Sequence, residues 1–91
     1  QTRISLDEYT KLTSVIALQK TITFNYLLHQ TNYNQINPQE LNKMALENLN
    51  HSACQSKSTQ NLIDLGVEYV YIYFSNDGKQ ITRASIRSYR C

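Results

Sequence analysis

The chain has 91 residues, of which 41% are hydrophobic and 18% are charged, and its formal net charge at pH 7 is +2. This length fits a single domain, residues 1–91, and the composition is that of a globular protein rather than a disordered one. The small net charge gives no argument for nucleic-acid or membrane binding, and no apolar run is long enough to span a bilayer.

Residues 10–29 are predicted to form a first β-hairpin, because β-branched and aromatic residues dominate them. A short loop at Gln19–Thr21 would place Ile16 opposite Phe24 and gather the large aliphatic side chains on one face. A helix over Leu6–Leu18 is the alternative, since large apolar residues also recur there at helical spacing.

Two helices are predicted in the middle of the chain. Asn37 is a good N-cap and Pro38 suits the first helical position, so a helix should begin there and run to about Cys54. A second, short helix is expected over Ser58–Leu65, with Gly66 as its C-terminal stop. The buried stripe of the first helix is predicted to be Leu41, Met44, Ala45 and Leu49.

The second hairpin turns at the sequence SNDG, with Asn76 and Asp77 in the centre and Gly78 in the left-handed position. A regular ladder from this turn pairs Phe74 with Gln80 and leaves one face aliphatic. That aliphatic face is expected to pack on the helices, and the opposite face is expected to be partly wet. The partly wet face would hold Tyr69, Tyr71, Tyr73, Ile81, Arg83, Ser85 and Arg87.

The predicted element order is β-β-α-α-β-β, and the simplest assembly is an α+β fold with a single antiparallel four-stranded sheet and two helices on one face. Cys91 is the last residue, where a chain normally frays, so a disulfide to Cys54 would hold the final strand in place. Closing that loop would stabilise the fold by roughly 4 kcal/mol. The bond would imply an oxidising compartment, the periplasm or the outside of the cell, and two free thiols are the alternative.

The segment CQSKSTQNLIDLGVEYVYIYFSNDGKQITRASIRSYRC, from Cys54 to Cys91, resembles a layout found in small Gram-negative periplasmic proteins. In that layout a helix ends in Cys, a short helix ends in Gly, and a Tyr-rich hairpin ends in the partner Cys. The layout occurs in AspS-type pilotins of type II secretion and in quorum-sensing-regulated virulence factors. The matched positions are Cys54, Leu62, Ile63, Gly66, Tyr69, Tyr71, Gly78 and Cys91.

The resemblance implies a periplasmic protein that holds a segment of a secretin subunit. Pilotins are lipoproteins with an acylated N-terminal Cys, and this sequence begins at Gln1. Membrane contact is therefore expected only through an N-terminal lipid anchor that has been removed. The alternative is a secreted or periplasmic virulence or envelope factor with an unknown target.

No catalytic site, metal site or cofactor is predicted. His29 and His51 are the only histidines, and Cys54, which could share a helix face with His51, is expected to be bridged. The two glycines are far apart and form no phosphate-binding loop. We therefore expect a non-enzymatic protein.

The predicted partner contacts are Tyr69, Tyr71, Tyr73, Arg83 and Arg87, because Tyr and Arg are good interface anchors. Ordinary strand surface is one alternative. Single-stranded nucleic acid, with bases stacked on Tyr and phosphates on Arg, is another, but no nucleic acid is expected at this net charge. The expected function is recognition of a protein segment, a secretin or another envelope component, at a sheet edge or in the cleft between helix and sheet.

Overall fold

A computed structural model of the chain describes residues 10–29 and 31–91. The predicted order β-β-α-α-β-β is confirmed. The alternative of a helix over Leu6–Leu18 is wrong from Thr10 onwards, because strand β1 begins there. Residues 6–9 of that alternative lie outside the described residues. The elements are β1 (Thr10–Leu18), β2 (Thr21–Leu28), a 3₁₀ turn (Tyr33–Gln35), α1 (Pro38–Gln55), α2 (Lys57–Asp64), β3 (Glu68–Ser75) and β4 (Gln80–Ile86).

The four strands form one mixed sheet in the order β1-β2-β3-β4. The outer pairs are antiparallel, as predicted, but β2 and β3 run parallel, so the prediction of a wholly antiparallel sheet is wrong. The reason lies in the connection, because the two helices carry the chain from the end of β2 back to the sheet. A crossover of this kind joins neighbouring strands in the same direction.

The helix ends follow the predicted signals. Oδ1 of Asn37 accepts hydrogen bonds from two backbone N–H groups of the first turn of α1, at 2.9 and 3.2 Å. Gly66 follows α2 with φ of +95°, and its N–H donates to the carbonyl of Ile63 at 2.9 Å. The next N–H, that of Val67, reaches the carbonyl of Leu62 at 3.0 Å. These two bonds form a Schellman motif, which glycine accommodates without strain.

The loop of the first hairpin is one residue shorter than predicted. Its loop has two residues, Gln19 and Lys20, and Val15 rather than Ile16 lies opposite Phe24. A second irregularity, a β-bulge at Thr13, shifts the register again nearer the start of β1. Since neighbouring residues of a strand point to opposite faces, these shifts divide the aliphatic residues of β1 between the two faces.

The second hairpin contains a β-bulge that reverses its predicted faces. Phe74 pairs with Gln80 as predicted, but the next pair is Tyr73 with Thr82, so Ile81 is an extra residue. Beyond the bulge the pairs are Ile72 with Arg83, Tyr71 with Ala84, Val70 with Ser85 and Tyr69 with Ile86. The three tyrosines of β3 therefore share a face with small and aliphatic residues of β4, and the arginine at position 83 lies on the other face.

Helix α1 packs on the tyrosine face, so the prediction that the aliphatic face covers the helices is wrong. The helix contributes Leu41, Ala45 and Leu49 to the core, while Met44, predicted to be buried, is exposed. The core cluster consists of Tyr26, Leu28, Leu41, Ala45, Leu49, Tyr73, Ile81 and Ala84.

Candidate functional site

The predicted tyrosine contacts belong to an aromatic cluster on the helix side of the sheet. The ring of Tyr71 meets those of Phe24 and Tyr26 edge to face, at centroid distances of 5.4 and 5.0 Å, and Tyr26 stacks on Tyr73 at 5.1 Å. Tyr73 is only 1% exposed, so the prediction that it contacts a partner is wrong. Tyr69 and Tyr71 are half-buried, and their role in binding stays a prediction.

Burial also affects the pKa of one member of this cluster, Tyr26. Desolvation raises the pKa of Tyr26 far above its ordinary value, and the neighbouring Tyr71 phenol raises it further. The Tyr26 phenol is therefore neutral at any physiological pH. The cluster acts as packing material that links β2 to β3 rather than as a reactive site.

Arg83 and Arg87, the two predicted basic contacts, are exposed, but they do not share a surface with the tyrosines. Nη2 of Arg87 lies 3.7 Å from Oε1 of Glu68, and the arginine side chain is 80% exposed, as in a weak surface ion pair. The prediction that Tyr69, Tyr71, Tyr73, Arg83 and Arg87 share one face of the sheet is therefore wrong, because the bulge places the tyrosines and Arg83 on opposite faces. The roles of Arg83 and Arg87 in binding stay predictions. Binding of single-stranded nucleic acid would need Tyr and Arg side chains next to each other, so that bases stack on Tyr while Arg binds the phosphates. The two residue types do not lie next to each other.

The outer edge of β4 is protected. Nδ2 of Asn42, on α1, donates to the backbone carbonyl of Arg83 at 2.9 Å and to Oγ1 of Thr82 at 3.0 Å. The bulge at Ile81 interrupts the ladder of this strand. Bulges, charged side chains and a covering helix are the devices by which natural proteins keep an edge strand from pairing with other chains.

The outer edge of β1 has a bulge at Thr13 and a charge at Lys11, but no described helix or strand covers its second half. Its large side chains Val15, Ile16 and Leu18 are 49%, 52% and 69% exposed. No charged residue lies between Lys11 and Lys20. An uncovered, uncharged strand edge is a template for pairing, and apolar side chains concentrated on it mark an interaction surface.

On the helix side of this strand, no described helix covers Val15 and Ala17, because α1 lies over the other half of the sheet. The helix packs mainly on β4 and touches β3, while Val15 and Ala17 of β1 are exposed. Val15 lies opposite Phe24, whose half-buried ring belongs to the aromatic cluster. We call Val15, Ile16, Ala17 and Leu18, with the adjacent ring of Phe24, the β1 surface.

The β1 surface was not predicted from the sequence, although an uncharged apolar stretch in the sequence marks it. The eight residues from Leu12 to Gln19 carry no charge and include a Val-Ile pair, which suits either a core strand or an interaction edge. The predicted register placed all its large aliphatic residues on one face, and so assigned them to the core.

The end of the chain is held at a different place, on the helices. Cys54 and Cys91 form a disulfide with their Cα atoms 5.6 Å apart, as predicted. The side chain of Asn50 both donates to the carbonyl of Arg90, at 2.8 Å, and accepts from its N–H, at 2.7 Å. The hydroxyl of Tyr89 donates to the carboxylate of Asp64 at 3.2 Å, and partial desolvation together with this carboxylate raises the pKa of Tyr89.

In residues 10–29 and 31–91, no group of three or more His, Cys, Asp or Glu side chains is arranged to hold a metal ion. Neither helix in this part of the chain combines the length and the apolar character that crossing a membrane requires.

No known family model matches the sequence, and no curated protein matches it. Among solved structures, the fold is similar to that of a Pseudomonas aeruginosa protein that is inferred to be secreted, known from a crystal structure at 1.60 Å resolution. The TM-score is 0.68 and the identity 8%, and the match covers 90% of this chain and 72% of the other. At this identity the likeness shows a shared fold.

The disulfide decides the compartment. Disulfides persist in oxidising environments and are rare where thiols are kept reduced. The bridge between Cys54 and Cys91 therefore belongs to a protein of the periplasm or of the outside of the cell, as predicted.

Proposed function

We propose that the protein is a non-enzymatic binding module of the periplasm or cell exterior that holds a short segment of another envelope protein, as pilotins hold a segment of a secretin. The observation that carries this proposal is the β1 surface. Three large aliphatic side chains are exposed on an edge strand, while Asn42 of α1 hydrogen-bonds to the opposite edge of the same sheet. Natural proteins usually protect such edges, because an exposed apolar edge pairs readily with another chain.

The rest of the molecule supports this role. The disulfide, the Asn50 contacts and the aromatic cluster make a rigid scaffold, and a rigid scaffold loses little conformational freedom when it binds. The layout from Cys54 to Cys91 resembles that of AspS-type pilotins, which favours a secretin or another secretion-system component as the partner. A virulence or envelope factor with a different protein target is the alternative, and it would use the same surface.

Binding of labelled peptides that tile the C-terminal segments of type II secretins tests the proposal, measured by fluorescence anisotropy. The double variant Val15→Lys with Leu18→Lys places charges on the β1 surface and should abolish binding. The matched control is Leu65→Lys, which changes an equally exposed leucine, 70% exposed, at the end of α2 and should bind like the wild type.

Two outcomes would contradict the proposal. One is that no secretin segment binds and that the protein also captures no envelope protein from a periplasmic extract. The other is that the double variant and the wild type bind the same segment equally well, which would place binding elsewhere on the molecule.

A further inference from the structure

We propose that Asp77–Gly78 is a site of spontaneous covalent modification, at which aspartate converts to isoaspartate through a cyclic succinimide, and that Ser75 holds the two reacting groups in an unreactive arrangement. The site lies in the turn between β3 and β4. It is separate from the β1 surface, so the proposed function does not depend on it.

The modification rearranges atoms of the chain itself. The backbone nitrogen of Gly78 attacks Cγ of Asp77, an N–Cγ bond forms, and the hydroxyl of the protonated carboxyl group leaves as water with the amide proton. Water then opens the ring at one of its two carbonyl carbons. Opening at Cγ restores aspartate, and opening at the main-chain carbon gives isoaspartate, whose backbone is one carbon longer. The water released in the first step is taken up in the second, so no other reactant is needed.

The sequence offers this reaction at a single favourable position. Asp77 is followed by glycine, whereas the other two aspartates precede glutamate and leucine. Glycine has no Cβ that would shield its backbone nitrogen. Asp77 and Gly78 are both exposed, and no described atom lies within 4 Å of the position that a Cβ of Gly78 would take. Packing therefore does not block ring closure, and water reaches the site.

The hydroxyl of Ser75 acts on the carboxyl group. It donates a hydrogen bond to Oδ1 of Asp77, and Ser75 is 0% exposed. A hydrogen bond to the ionised form favours that form, and this bond lowers the pKa of Asp77. An ionised carboxylate has no hydroxyl to release as water, so the carboxyl group stays unreactive while the bond holds.

The backbone of Ser75 acts on the attacking nitrogen. The N–H of Gly78 donates to the carbonyl of Ser75 at 2.9 Å, and attack on Cγ requires this N–H to give up its proton. The residue is fixed in turn, because the N–H of Ser75 donates to the carbonyl of Lys79 at 2.9 Å across the hairpin. Both reacting groups are therefore bonded to one buried residue, and both bonds must break before the ring closes.

Isoaspartate at position 77 would disturb the core through the hairpin. The extra backbone carbon would lie between β3 and β4, which the turn holds in register. Ile81, the extra residue of the bulge, follows three positions after Gly78 and belongs to the core cluster. Ser75 therefore protects the position of a core residue as well as the turn.

The test compares the rate at which isoaspartate forms in the full chain and in the free peptide FSNDGKQI, both incubated at neutral pH. Peptide mapping separates the two isomers by chromatography. We expect the folded protein to react about tenfold more slowly than the peptide, because a hydrogen bond to an ionised group has to break first. Ser75→Ala should react about tenfold faster than the wild type. Ser75→Thr keeps the hydroxyl and should react slowly, and Ser88→Ala, at an exposed serine after β4, should match the wild type.

Asp77→Asn gives an answer even if Ser75→Ala does not fold. An asparagine side chain closes the same ring with loss of ammonia, and its amide oxygen can accept the same bond from Ser75. Its deamidation should therefore be slower in the folded protein than in the matching peptide. Equal rates in the protein and the peptide would overturn the role of Ser75, and so would equal rates in the wild type and a folded Ser75→Ala variant. A peptide that forms no isoaspartate would overturn the modification site itself.

Discussion

Asn50 joins the end of the chain to α1 through its side-chain amide. The amide forms two hydrogen bonds with the backbone of Arg90, so a residue outside the sheet has both its donor and its acceptor satisfied. A segment that follows the last strand is poorly ordered unless such contacts hold it. The bonds place Cys91 next to Cys54, and they therefore support the geometry of the disulfide.

Substituting Asn50 should destabilise the fold. Asn50→Ala leaves the N–H and carbonyl of Arg90 without this partner, and we expect the free energy of unfolding to fall by about 1–2 kcal/mol. His51→Ala is the control, because this exposed neighbour on the same helix makes a comparable change in helix propensity. Urea unfolding measures both. Equal stability of the two variants would show that the Asn50 contacts contribute nothing.

Gln19 has an unfavourable backbone conformation for a residue with a side chain. It is the first residue of the two-residue turn, with φ of +57°, a region that glycine enters without a steric penalty. Gln19→Gly should raise the free energy of unfolding by about 1 kcal/mol. Lys20→Gly, the control in the same turn, should lower it, because Lys20 has no positive φ to relieve. Thermal melting distinguishes the two, and stabilisation by both variants would contradict the argument.

Asp77 gives the turn of the second hairpin a pH dependence. The hydroxyl of Ser75 donates to its carboxylate and lowers the pKa of Asp77 below the ordinary value. A carboxyl group with a lowered pKa in the folded state stabilises above its unfolded pKa, and this contribution is lost as the pH falls through the folded pKa. An NMR titration should give Asp77 a higher midpoint in Ser75→Ala than in the wild type. Ser88→Ala should leave it unchanged, and an unchanged midpoint in Ser75→Ala would show that the hydroxyl is not the cause.

At the scale of elements, the closeness of α1 to the sheet depends on small residues. Ala45 of the helix and Ala84 of β4 are both buried in the core cluster, where no longer side chain fits without displacement. Ala45→Leu should lower the free energy of unfolding by about 1–3 kcal/mol through overpacking. Ser52→Leu places the same side chain on an exposed position of α1 and should have little effect. Denaturant unfolding measures both, and a neutral Ala45→Leu would mean that the core has spare volume.

The sequence predicted the helix ends and the second turn better than it predicted which side chains share a face of the sheet. Asn37, Gly66 and Gly78 act through local backbone geometry, so the helix ends and the second turn could be identified from single residues. The faces depend on register, and one extra residue at Thr13 or at Ile81 reverses every side chain beyond it. No local sequence signal marks either bulge.

For the candidate site, the sequence predicted the type of recognition but not the residues that form the surface. Recognition at a sheet edge was foreseen, but the residues assigned to it depended on the faces of β3 and β4. The tyrosines of a strand are ambiguous because their rings suit a core and their hydroxyls suit a surface. Their burial followed from the position of α1 over β4, which is a tertiary feature. The edge of β1 became recognisable only once α1 was known to lie over the other half of the sheet.

At the scale of the whole molecule, two separate connections join parts of the chain that are distant in sequence. The crossover through α1 and α2 joins β2 to its parallel neighbour β3, and the disulfide ties the end of the chain back to α1. The residues it joins are 37 positions apart, and the chain-entropy model gives such a loop about 4 kcal/mol of stabilisation. That is a large part of the total stability of a small domain, on the order of 5–15 kcal/mol.

The disulfide and the Asn50 contacts should therefore act as one unit, which a double-mutant cycle can measure. Cys54→Ala with Cys91→Ala should lower the free energy of unfolding by about 4 kcal/mol. In that background the end of the chain is free to detach, so adding Asn50→Ala should cost much less than it does in the bridged protein. Urea unfolding of the four proteins gives the coupling energy. Equal costs of Asn50→Ala in both backgrounds would show that the amide holds the last residues without help from the covalent bond.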